Sequence, residues 1–375
     1  MNKIKYLALI ACCSLIFISC KKHRDEPTPE PIIYNTVPAF FKPATEGNYG
    51  TTLPDFIVVA NKTNALTLPW DLDFNPNREN ELWVINKGSE SSGGSTVMFT
   101  NVGMANQDFD YRKDGNAWHF MSLPSAISFS REYNTWATSA DVLDANHKGG
   151  DFTGPSLWST DLSIYAEPSG GNGSHLDMLH GSPYSMGIEA DKNNAFWVVD
   201  GYNQQIVWYD FANDHGAGNS DHSDGKIHRY SEIYIKRLPG VPSHLVIDKP
   251  SGWLYIADAG NKRIIRMNTK TGTKLQDLPP VNEPLAEYWE MEGVQWEIFT
   301  DVNLIKPCGI EIIGNNLFVS DNQSGEIIAF DLTTKKELAR INTGKAGIMG
   351  IKADKAGKLW YVNALSNELI RIDPK

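Results

Sequence analysis

Six times between residues 53 and 373 the chain repeats one pattern: an alternating strand, a second strand built on an aromatic residue, and a polar turn into a third strand. The second strands are ELWVIN around Trp83, NTWATS around Trp136, AFWVVD around Trp197, LYIAD around Tyr255, LFVSD around Phe318 and LWYVN around Trp360. The strands before them carry the apolar pairs Leu72/Phe74, Ile127/Phe129, Met186/Ile188, Leu245/Ile247, Ile310/Ile312 and Met349/Ile351. Spacing of two puts each pair on one face of a strand. In the last four units the aromatic stands nine residues before the next apolar run, as from Trp197 to Ile206 and from Tyr255 to Ile264. The turns between them, DGYNQ, DAGNK, DNQSG and NALSN, have the Asp, Asn and Gly that a tight hairpin needs. Six such antiparallel units in succession predict an all-β fold, a six-bladed β-propeller. Fourth strands are expected in AWHFMSL, KIHRYSEIYI and KELARINT. The last unit ends after three strands, so DFIVVANK, residues 55–62, is expected to supply its outer strand and close the ring from the N-terminal side.

Ahead of the repeats, Lys3 and Lys5 precede an apolar run of thirteen residues, 6–18. A bilayer crossing takes about 20 residues, and the shorter run suits the centre of an export signal. Its end, Ile-Ser-Cys, resembles the lipobox of bacterial lipoproteins, with Phe17 at the usual Leu position, Ser19 before the cysteine and Cys20 as the lipidated residue. An ordinary secretory signal cleaved nearby is the other reading. The expected division is a signal peptide over 1–19, lipidated Cys20 with a Pro- and Glu-rich tether over 20–52, and the propeller over 53–375. The expected location is exported and lipid-anchored to the membrane, at the outer membrane or cell surface of a Gram-negative bacterium. Acidic residues just after Cys20 resemble the surface-export signals of some lipoproteins.

Charge and cysteine usage then narrow the partners. Loss of residues 1–19 takes two of 34 basic residues and leaves 32 − 45 = −13. With no basic aromatic face, that balance excludes nucleic acid. Cys12 and Cys13 leave with the signal and Cys20 takes the lipid, so Cys308 has no partner for an internal disulfide.

LYIADAGNKRIIRMN and FWVVDGYNQQIVWYDF resemble NHL repeats: a strand ending in Asp, an Asn-containing turn, then an Arg-Ile-like strand. The likeness runs from residue 183 onward and is weaker in the first two units. It implies a six-bladed propeller and says little about function. Amidating lyases of this class hold zinc with His residues from different blades, and Pro242-Ser243-His244 resembles one such position. The matching positions in the other blades are Ser185, Gly309 and Ile348, so a three-His set is absent. Lactonase-like propellers hold a divalent ion with Glu, Asn and Asp at the channel mouth.

Taking the residue before each first-strand pair gives a channel ring of Asp71, Ala126, Ser185, His244, Gly309 and Ile348, with Asp73 and Glu311 in the layer beyond. Asp71, Asp73 and Glu311 suit a hard cation such as calcium; the alternative is that they cap turns. His180 joins this mouth beside Ser185 and His244 if the chain turns at Gly181-Ser182-Pro183. A second candidate lies in NDHGAGNSDHSDGKIH, residues 213–228, where Asp214, Asp221, Ser223 and Asp224 alternate as calcium-loop ligands do. The same residues also suit a solvated loop of turn formers. Residues 283–299, EPLAEYWEMEGVQWEIF, are expected between blades four and five, as a lid, a stacking surface for a sugar or peptide, or a patch packed on the propeller. There is no G-x-S-x-G, H-E-x-x-H, paired C-x-x-C or P-loop. Two functional readings remain: a surface-anchored module binding a protein or glycan, and a metal-dependent lyase or hydrolase with its site at the channel. The incomplete ligand ring favours the first.

Overall fold

The computed structural model describes residues 54–373, apart from 168–170, 220, 280 and 282, together with a strand pair at Pro43–Ala44 and Asn48–Tyr49. Cys20 and the signal segment lie outside the described residues. Six sheets follow one another along the chain, each ordered from an inner to an outer strand. Blade one is Pro69–Phe74, Leu82–Ser89, Gly93–Thr100 and Asp108–Arg112. Blade two is Pro124–Phe129, Thr135–Ala140, Ser156–Ser159 and Asp177–Met178. Blade three begins with Ser185–Ala190, Ala195–Asp200, Gln205–Asp210 and Lys226–Tyr230. Blade four is Leu245–Asp248, Trp253–Asp258, Arg263–Asn268 and Trp296–Thr300. Blade five is Pro307–Ile313, Asn316–Asp321, Glu326–Asp331 and Glu337–Asn342. Blade six has Ile348–Ala353, Leu359–Asn363 and Glu368–Asp373 from the C-terminal end. Its outer strand is Asp55–Ala60, antiparallel to Glu368–Asp373 with Arg371 opposite Ile57. The fold is a six-bladed β-propeller, closed as the sequence predicts.

Two local expectations change. AWHFMSL is not the fourth strand of blade one; it holds the short helix Ala117–Phe120, and Asp108–Arg112 pairs with Gly93–Thr100 instead. Residues 283–299 are not a link or a lid between blades four and five. Glu287–Glu292 pairs in parallel with Lys226–Tyr230, and Thr273–Asp277 pairs with Glu287–Glu292, so blade three grows to six strands. The remainder of the segment, Trp296–Thr300, is the fourth strand of blade four. The added hairpin is clamped by His228, whose ring stacks between Trp208 and Trp289 at 4.8 and 4.5 Å between centroids. The repeated aromatics fill the wedges between blades. Trp83 meets Phe129 and Trp136 edge-on at 5.5 and 5.2 Å, and all three are buried. Such contacts add roughly 0.5–1.5 kcal/mol per pair beyond the area they remove from water.

Candidate functional site

Along the central channel, inner-strand side chains tie each blade to the next. Asp71 Oδ2 accepts from the Ile127 backbone N–H at 3.0 Å, and Asp73 Oδ2 accepts from Phe129 N–H at 2.9 Å. Ser128 does the same for Ala190 N–H at 2.9 Å, and Glu189 for Ile247 N–H at 3.4 Å. The bonds to Ile127, Phe129 and Ala190 are buried and satisfy backbone donors that have no water to turn to. Asp71 also fits only because residue 350 is glycine: a Cβ there would lie 2.0 Å from Asp71 Oδ1. Burial pushes the Asp71 carboxyl above its ordinary range, against the pull of His244 and Lys352.

The channel candidates fall into two layers. His244 Nε2–H donates to Ser125 O at 2.9 Å, and its Nδ1 lies 3.6 Å from Asp71 Oδ1. Ser125 Oγ–H donates to Ser185 O at 2.6 Å, so Ser125 links Ser185 to His244, with Asp71 beside the His244 ring. In the other layer Lys352 Nζ lies 3.5 Å from Glu189 and 3.8 Å from Glu311, and Arg131 lies 4.0 Å from Asp73. Glu311, Glu189, Lys352 and Arg131 line a cavity of about 400 Å³. Burial pushes Glu311 up to about 7, with Lys352 opposing.

In the loop over residues 213–228, Asp214 accepts from Gly216 N–H and Asp221 from Ser223 N–H. Asp224 accepts from Asn213 and from His215 Nε2. These carboxylates each serve a separate turn or partner, and Asp214, Asp221, Ser223 and Asp224 form no gathered donor set among the described residues.

The contacts of His180 are made with Glu283 and Phe152. The chain does turn at Gly181, with φ +108°, but His180 faces Glu283. Its backbone N–H donates to Glu283 Oε1 at 2.8 Å, and its Nδ1 lies 2.5 Å from Oε2 of the same carboxylate. His222 Nε2 stands 3.7 Å from that oxygen, and His222 Nδ1 stands 2.6 Å from Asp177 Oδ1. Burial works against a charge on His222, but the bond to Asp177 and the charges of Asp177 and Glu283 outweigh it and raise its pKa. The four residues come from the outer strand of blade two, the approach to blade three, the 213–228 loop and the connection within the added hairpin. Sequence reasoning names His180 alone as a site candidate. His222 was visible only as a loop histidine and Glu283 as the first residue of an acidic insert.

His180 also lines a cleft of about 300 Å³ beside blade three. Phe152 stacks on the imidazole at 3.4 Å between centroids and forms one wall with Asp151. Asn203 and Gln205 form another, and Tyr288 of the added hairpin a third. Arg229 reaches the cleft floor, where it donates to Asp200 at 3.0 Å, to Tyr288 Oη at 2.9 Å and to Gly181 O. With those donors engaged it holds the hairpin against the blade and keeps Tyr288 at the rim.

By sequence, the chain matches no protein-family model and no curated protein. Solved structures do match it. An auxiliary nutrient binding protein from Bacteroides ovatus is 11% identical, with 88% of this chain and 79% of that one covered and a TM-score of 0.56. A luciferin-regenerating enzyme is 12% identical, with coverage of 85% and 95% and a TM-score of 0.55. An auxiliary nutrient binding protein from Bacteroides thetaiotaomicron is 12% identical, with coverage of 81% and 68% and a TM-score of 0.51. At such identities the likeness shows a shared propeller fold.

Proposed function

We propose that this chain is an exported, lipid-anchored propeller that binds a soluble glycan in the cleft between the 141–155 loop of blade two and the added hairpin of blade three. The observation that carries the reading is the composition of that cleft. Phe152 and Tyr288 offer faces on which a sugar ring stacks, and Asn203, Gln205 and Asp151 offer amide and carboxylate groups for its hydroxyls. Its volume is at the lower end of small-molecule sites, about 300–1,000 Å³, which suits a few sugar units better than a protein surface. The nutrient-binding names of two structural neighbours agree with this role. Binding rather than turnover is favoured because the channel carboxylates are already engaged, in bonds between blades or with Lys352.

Calorimetric titration of the full-length chain against a panel of neutral and acidic oligosaccharides tests the reading. A binder is expected, and Phe152→Ala and Gln205→Ala are each expected to weaken it about tenfold or more, the loss of one stacking or buried polar contact. Absence of any saccharide ligand, or binding indifferent to both substitutions, would reject the cleft as a glycan site.

A further inference from the structure

We infer that His180, His222 and Glu283 form a site for one transition-metal dication of the zinc type, with Asp177 orienting His222. One donor atom from each of the three lies within 4.8 Å of the other two, and among the described residues no other His, Cys, Asp or Glu group of three is gathered this closely. The donors are separated in sequence, His180 and Glu283 standing 103 positions apart. Local turn formation therefore does not explain their meeting.

Three features point to an ion. The first is orientation: Asp177 engages His222 Nδ1, which leaves Nε2 turned to Glu283. A carboxylate holding the far nitrogen of an imidazole is the usual support of a metal-ligating histidine. The second is incomplete bonding. His180 Nε2 and Asp177 Oδ2 are buried with no hydrogen-bond partner, although His180 is only 7% exposed and Asp177 1%. Native interiors seldom leave such atoms unpaired without a ligand or other cause. The third is charge. Two buried carboxylates, Asp177 and Glu283, have the rings of His180 and His222 within 4 Å and no Lys or Arg among the described residues. A dication balances both carboxylates while both rings stay neutral.

The donor set also selects the ion. Two imidazoles and a carboxylate match zinc and its neighbours, whereas calcium and magnesium take oxygen ligands. The site shares His180 with the cleft but requires no glycan, so it stands apart from the proposed function.

Zinc and cobalt, added singly to the full-length chain after chelator treatment, provide the test. Elemental analysis after gel filtration is expected to find about one zinc per chain, held by the three protein donors with water in the fourth position. Cobalt is expected to show the visible bands of a four-coordinate N/O site. Glu283→Gln and His222→Ala are each expected to lower affinity at least ~100-fold, and Asp177→Asn by ~10–100-fold through loss of its orienting bond. Asp277→Asn, on the exposed hairpin strand, is expected to leave it unchanged. No stoichiometric zinc in the wild-type chain, or zinc retained equally by Glu283→Gln and His222→Ala, would overturn the site. If those variants do not fold, the wild-type cobalt spectrum decides, and absence of the bands counts against it. Saccharide titration of the zinc-free chain separates the two proposals, because glycan binding that persists without metal leaves the cleft standing whatever becomes of the ion.

Discussion

Glu311 occupies a place where a carboxylate is costly: its side chain is 13% exposed, and Glu189 and Asp73 lie near enough to repel it. Lys352 offsets part of the cost from 3.8 Å, and the balance leaves the acid at about 7 instead of 4.5. A folded-state pKa above the unfolded one means that the native state holds this proton more tightly. The resulting stabilisation is present in full below 4.5 and is lost as pH rises through 7. The interval corresponds to roughly 3 kcal/mol. Glu311→Gln cannot titrate, so its stability relative to the wild-type chain is expected to rise by that order between pH 4.5 and 8. Denaturant unfolding at each pH measures the difference, and parallel curves would refute the assignment. Asp71 and Asp73 belong to the same level of description. Their hydrogen bonds to Ile127 and Phe129 make them latches between blades.

At the scale of elements, the ring is closed by a strand taken from the other end of the propeller. Asp55–Ala60 covers the edge of Glu368–Asp373, and Phe56 packs against the cluster containing Ile341, Ile370 and Ile372. Removal of residues 1–60 leaves that edge unpaired and open to other chains. Such a truncation is expected to lower Tm by about 5 °C or more, the scale of losing a few kcal/mol in a domain of this size. Larger species should also appear in size-exclusion chromatography; an unchanged Tm and a monomeric profile would mean that the strand does not hold the ring. This closure was legible because LWYVN and ELIRID show strand period locally and leave a partner missing. The added hairpin was not legible. EYWEME alternates well enough for a strand, but nothing local tells it to leave blade four and lie parallel to KIHRY of blade three. Its docking depends on Trp289 reaching His228, and on Glu287 meeting the same ring at 2.7 Å, contacts between distant segments. The candidate metal site inherits that opacity, because Glu283 arrives with the hairpin. His180 stood out through its neighbouring Gly-Ser-Pro turn, whereas Asp177, His222 and Glu283 acquire meaning only when the outer strand of blade two and two loops converge.

For the whole molecule, the proposed anchor and the propeller divide the chain's cysteines between two chemistries. Cys308 is completely buried, its thiol within 3.2 Å of Ser320 Oγ and of Ile348 O, and burial pushes it up to about 12. A thiol in that state is mostly uncharged near neutrality and shielded from acylation. Cys20 follows an apolar run and precedes a charged, proline-containing segment, KKHRDEPTPEP, suited to lifting a propeller off a surface. If Cys20 carries the lipid, a clickable fatty-acid analogue fed to a bacterial host should label the chain and place it in the membrane fraction. Cys20→Ala should remove the label and release a folded propeller into the soluble exported fraction, while Cys308→Ala should change neither. A single acyl chain holds a protein only marginally, so retention depends on the multiple acylation typical of such anchors. The net charge of −13 expected after signal removal acts in the same direction, because it adds repulsion from an anionic membrane surface. Retention of Cys20→Ala at the membrane would show that an uncleaved N-terminal segment, and not a lipid, holds the propeller there.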